Sequence, residues 1–170
     1  MSGIFGMNIK MAIYGESHGK SIGVVLDGLP PGLALDEATI AAEMARRAPG
    51  QNALSTARKE SDMVEIQSGF FNGFTTGTPL CARIVNSDQH SKDYSILADK
   101  MRPGHADYAG HVRYQGFNDY RGGGHFSGRL TAPLVFAGAV AKQALAQYGI
   151  VVGSHILQIN DIKEERFNPM

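Results

Sequence analysis

The chain has 170 residues, 43% hydrophobic and 19% charged, enough to bury the core of one globular domain over residues 1–170. Its 16 basic and 16 acidic side chains cancel, so it lacks the overall positive field that would select nucleic acid or an anionic membrane surface as partner. The single cysteine, Cys81, excludes an internal disulfide and fits a reducing compartment.

The opening stretch MSGIFGMNIKMAIYG lacks the uninterrupted apolar run of a signal peptide, and no segment is long enough to span a bilayer. A cytoplasmic location is the expectation. Residues 8–14 alternate as a strand that runs into the turn GESHG, and residues 22–26 form a second apolar strand stopped by DGLPPG. Asp36 is placed to cap a helix through Arg47, with Ile40 and Met44 on one face and Pro49-Gly50 as the stop. Residues 50–61 read as a polar loop. Residues 63–67 and 80–85 read as strands around a Gly/Thr-rich turn, with Cys81 as a core thiol. A helix is expected over residues 132–148, capped by Thr131 and stopped by Gly149, with Leu134, Ala137, Ala141, Leu145 and Tyr148 on its buried face. Residues 150–159 suggest a further strand, and RFNPM reads as an unfinished end. The pattern predicts a mixed α/β layered fold.

Chemistry concentrates between Arg102 and Arg129, where RPGHADY and DYRGGGHFSGR set histidines and arginines among glycines. Gly122-Gly123-Gly124 precedes a helix start, so its backbone N–H groups suit an anion, with Arg121 and Arg129 able to fork onto phosphate or carboxylate oxygens. The run fits neither the P-loop nor the dinucleotide fingerprint. His18, between glycines after a strand, is expected to be exposed, either as a turn histidine without a role or as a group suited to proton transfer. His105 follows a rigid Pro-Gly turn, either as the surface histidine of an ordinary β-turn or as a functional group with Asp107 placed to orient it or to offset nearby charge. Arg46 and Arg47 end the first helix, where cations complement the macrodipole or face a ligand. No histidine pair has HxxxH spacing on a helix and no cluster supplies soft ligands, so no metal site is expected.

In series, GESHG, DGLPPGL, RRAPGQ, SGFFNGFTTGTP, NSDQHSKDY, MRPGHADY and DYRGGGHFSGR resemble the chorismate synthase family over nearly the whole chain. The resemblance implies a β-α-β sandwich, of which about half is represented here, since the family's chains continue into a second half with further arginines and a proposed aspartate base. It implies an anti-1,4 elimination of phosphate from 5-enolpyruvylshikimate 3-phosphate, giving chorismate and requiring reduced FMN, with NADPH a candidate reductant. It implies a small-molecule enzyme of homotetrameric form. By this resemblance His18 would protonate the leaving phosphate and His105 would sit beside the flavin. Arg46, Arg47 and Arg129 match substrate-binding arginines, with Arg47 also linked to nicotinamide-nucleotide contacts. His125, Phe126 and Ser127 fall on a flavin-contacting triplet, in which many members carry Arg-Ser where this chain has His125-Phe126. Ala53 stands where a basic residue is common. The alternatives are a non-catalytic flavin- or phosphate-binding fragment and, on the histidines, a metal-dependent hydrolase.

Overall fold

The computed structural model describes residues 3–48, 62–87 and 91–166, so the polar reading of residues 50–61, including Ala53, lies outside the described residues. A five-stranded sheet carries the core. Its strands are β1 (Ile4–Phe5), β2 (Lys10–Gly15), β3 (Ser21–Asp27), β4 (Val64–Ser68) and, after the short β5–β6 hairpin (Phe70–Phe71 and Phe74–Thr75), β7 (Leu80–Val85). They lie in the order β1-β2-β3-β7-β4, each neighbour antiparallel.

Alternation along the central strands decides which face is covered. Ile22, Val24 and Leu26 of β3 and Leu80, Ala82 and Ile84 of β7 point to one side and are buried. Each large aliphatic side chain so buried contributes about 1.5–3 kcal/mol. The opposite parity holds Cys81, which is therefore half-buried on the other face and not a core thiol. There it neighbours Tyr14, whose phenol is pushed above its ordinary value first by burial and then by Cys81.

Two helices cover the buried face, while α2 (Asp107–Arg113) lies between them in the sequence. In α1 (Glu37–Arg47), Asp36 caps the start by accepting from the N–H groups of Ala38 and Thr39, both at 3.1 Å, and Ile40 and Met44 face inward. Gln143 of α3 (Thr131–Ala146) donates to the Asp36 carbonyl at 3.2 Å and accepts from its N–H at 2.7 Å, joining the two helices.

The expected inner face of α3 is displaced. Ala132, Pro133, Phe136, Ala137, Ala139 and Val140 are buried, whereas Leu134 is 39% and Tyr148 80% exposed. Almost every position of TAPLVFAGAVA is apolar, so periodicity does not single out one face, and the bulk of Phe136 against the sheet decides it. Leu134, Ala141 and Leu145 instead line an apolar groove of about 540 Å³ with Phe5, Met11 and Leu29. Thr131 does not cap by accepting a bond; its hydroxyl donates to the Gly128 carbonyl at 2.6 Å, inside the helix. The stop at Gly149 is as expected: the Gly149 N–H reaches Ala146 O (3.0 Å) and the Ile150 N–H reaches Leu145 O (3.2 Å).

Residues 150–157 form no strand. Only β8 (Gln158–Ile159) pairs, with β9 (Ile162–Lys163), and Ile150, Val151, Val152 and Ile156 stay exposed. An apolar segment becomes a strand only where an edge accepts it, and this one meets none among the described residues. No helix among the described residues is long and apolar enough to cross a membrane.

Candidate active site

The segments that carry chemistry meet at one end of the sheet, where β2 leaves through GESHG. The turn Arg121–Phe126 folds over it: the Ser17 N–H donates to Gly124 O at 3.1 Å, and His125 Nδ1 pairs with Gly15 O at 2.8 Å. As that partner is a carbonyl, Nδ1 carries the proton. This cover overturns the expected exposure of His18. The ring is only 5% exposed, packed edge-on against Tyr94 with centroids 4.8 Å apart.

The triple glycine is needed for that closure. Gly122 has φ +58°, and a Cβ there would stand 2.3 Å from His18 Cε1; Gly124 has φ +55°, and a Cβ there would stand 1.9 Å from Asp119 O. Any side chain would push the turn off His18. The run is not an open row of amides, since the Gly123 N–H is turned onto Tyr120 O at 3.2 Å.

Two arginines converge behind this turn. Arg47, at the end of α1, and Arg129, in the short helical turn Gly128–Leu130, grip opposite oxygens of buried Asp62. Arg129 Nε also donates to Asn86 Oδ1 at 3.2 Å, and Asn86 Nδ2 donates to the carbonyls of Glu16 (3.0 Å) and Gly19 (2.8 Å). Ser127 Oγ accepts from the Arg129 N–H at 3.3 Å and so starts that helical turn. Among the described residues, two guanidinium groups thus meet on one carboxylate.

Arg46 is not part of it. Its guanidinium bonds Glu43 at 2.8 Å with the side chain 73% exposed. His105 also stands apart, exposed on its turn. Asp107 does not orient it; the carboxylate takes the Arg102 Nε (2.8 Å), Nη2 (3.0 Å) and backbone N–H (3.0 Å). That fork holds the Asp107 carboxyl below its usual range, as the Arg121 fork does for Asp119. Arg121 is thus engaged by Asp119 and does not reach toward the Arg129 cluster. Phe126, 44% exposed, joins Tyr114, Phe117, His125, Glu16 and Asp119 around a cavity of about 410 Å³.

Sequence reasoning missed Asp62 and Asn86. Both lie outside the helices and strands and are buried, which for an acid or amide signals a partner; yet nothing in SDMVE or VNSDQ marks them locally, because the partners lie far along the chain.

A five-stranded antiparallel sheet covered by two helices, with a histidine sealed under a glycine turn beside two arginines that share Asp62, defines a layered α/β protein. The chain belongs to the chorismate synthase family, whose profile matches residues 9–170. It is 48% identical over 163 residues to the chorismate synthase of Cytophaga hutchinsonii and 51% identical over 164 residues to that of Sulfurimonas denitrificans. Each alignment covers 96% of this chain but 45% and 46% of those proteins, so the chain spans about half the length of the curated relatives it matches. A crystal structure of chorismate synthase superimposes with a TM-score of 0.66 at 29% identity, over 93% of this chain and 40% of that one. The α/β fold class expected from the sequence agrees with that match.

Proposed function

We propose that residues 1–170 form, as one domain, the His18 side of a chorismate synthase active site. The reaction is the anti-1,4 elimination of phosphate from 5-enolpyruvylshikimate 3-phosphate in the shikimate route to aromatic amino acids. It is a carbon–oxygen lyase reaction on a phosphate ester, and full activity would need the family's second half. The observation that carries this reading is the meeting of GESHG, the Gly122–Gly124 turn, Asn86, Arg129, Asp62 and Arg47 in one cluster, though they are spread along most of the sequence.

His18 is the proton donor of this reading. Its near-dry position shields a proton on the ring from bulk water and favours delivery to a departing phosphate. Arg129 and Arg47 bind substrate carboxylate or phosphate oxygens, held in fixed orientation by Asp62. Arg46 stays a substrate contact of the proposal only through a rearrangement that frees it from Glu43.

The cavity beside His125 and Phe126 fits a planar, partly apolar ring, because three aromatic side chains wall it; Glu16 and Asp119 make it unsuitable for a phosphate. Phe126 and His125 would thus hold the ring of reduced FMN, with Ser127 fixing the turn beneath. Bound there, reduced FMN supplies transient electron density to the elimination. His105 would join the flavin's surroundings from its open turn. By family membership we add a homotetramer, a cytoplasmic location and NADPH as flavin reductant, with Arg47 among its contacts.

The exposure of His105 favours a second reading, a flavin- or phosphate-binding module without turnover. Incubating the chain, extended by the family's second half, anaerobically with reduced FMN and 5-enolpyruvylshikimate 3-phosphate, and assaying phosphate and chorismate, separates the two. Equimolar release supports the lyase reading; bound flavin with no release supports the module. Stoichiometric zinc in the sample would overturn both in favour of a metal-dependent hydrolase.

A further inference from the structure

Asn86 directly follows β7 and is buried, with every polar group of its side chain committed. Nδ2 donates to Glu16 O at 3.0 Å and Gly19 O at 2.8 Å, Oδ1 accepts from Arg129 Nε at 3.2 Å, and the backbone N–H donates to Lys20 O at 3.2 Å. Its amide orientation follows from its partners, because a guanidinium only donates and carbonyls only accept. Glu16 and Gly19 bracket Ser17 and His18, so one side-chain amide grips both ends of the segment that carries the histidine.

We propose that Asn86 is a positioning residue that fixes the His18 turn in register with Arg129. The proposal rests on reading His18 as the proton donor. An amide suits this place as no other side chain of its size does. Asp would set carboxylate oxygens against two carbonyls, and Leu would keep the shape while leaving both carbonyls and a buried guanidinium nitrogen short of a partner. The contacts bridge 70 and 67 residues to the turn and 43 to Arg129, so local propensity cannot supply the register that Asn86 supplies.

The test uses the 170-residue chain without ligand, as Asn86→Asp and Asn86→Ala. Asn86→Asp keeps the size and gains attraction to Arg129, so it preserves the fold while removing both donors to the turn. Three quantities are read: the His18 imidazole NMR signals, displaced in the parent by the Tyr94 ring; His18 carbethoxylation by mass spectrometry, with exposed His105 as reference; and the thermal midpoint. Both variants should move the His18 signals away from their parent positions and leave those of His105 in place. His18 modification should rise at least about tenfold, the factor that one of the two lost buried hydrogen bonds alone gives a local opening. A lowered midpoint with His18 signals and reactivity unchanged overturns the proposal, since Asn86 would then only stabilise. Unfolding of both variants overturns it too, since Asn86 would then hold the whole fold and not one turn. Because no ligand is present, failure to bind flavin or substrate bears on the proposed function alone.

Discussion

GESHG and RPGHADY are both short, glycine-bearing turns around one histidine, yet the structure treats them oppositely. His18 is covered by the Arg121–Phe126 turn and by Tyr94, and its segment is gripped by Asn86. His105 is exposed, and the acid two residues on is occupied by Arg102. The flanking residues do not decide burial. Distant partners do: one turn is finished by contacts 67 residues and more away, the other by a fork within five residues. A sealed histidine is restricted in its proton exchange, while an open one depends on whatever later packs over it.

This contrast can be broken most severely at Asp62, the acid that Arg47 and Arg129 share. Asp62→Ala should cost about 3–5 kcal/mol in urea unfolding, because it leaves uncompensated charge in the core; a loss below about 1 kcal/mol would show that the cluster is solvated. At His18 itself, His18→Ala in a full-length relative should lower turnover ~10²–10⁴-fold with flavin binding retained, and unchanged turnover would remove it from its assigned role. Gly122→Ala attacks the lid. The strained φ and the overlap with His18 predict a loss of about 1–3 kcal/mol, while Gly73→Ala, where φ is also positive but nothing lies within 4 Å, separates backbone strain from collision with His18.

On the open side, effects should be small. Asp107→Asn should cost no more than about 1 kcal/mol, since the Arg102 side chain is partly exposed. The same contact sets an acid dependence. Asp107 has its folded pKa depressed by Arg102, so its contribution is complete above the unfolded value near 3.9 and is lost as pH falls through the lower folded value. Amide exchange of the RPGHADY segment should accelerate across that window in the parent chain and already be fast in Asp107→Asn. His105→Ala should leave the unfolding midpoint within the equivalent of about 0.5 kcal/mol. A larger change would mean that the two turns are more alike than their exposures indicate.

Much of the scaffold was legible in the sequence because its signals are local. Asp36 followed by inward Ile40 and Met44 marks α1, and alternating aliphatic residues mark β3 and β7. What failed was what depends on remote neighbours: which face of an apolar helix is buried, whether residues 150–157 find an edge, and whether His18 is covered. In the site, Arg47 and Arg129 were legible as cations, but Asp62 and Asn86, which join them to each other and to GESHG, were not, since a short acid and a short amide near loops are commonplace. Arg46 and Arg47 are adjacent in sequence yet diverge, one onto Glu43 and one onto Asp62, because successive helical positions point about 100° apart.

Under the proposed function, residues 1–170 hold a flavin and an anion on the His18 side of the active site. An anaerobic titration of the chain with reduced FMN, with and without 5-enolpyruvylshikimate 3-phosphate and followed by flavin absorbance, tests it directly. Saturable flavin binding that tightens when substrate is present is the predicted result. A folded chain that binds neither reduced FMN nor substrate would contradict it.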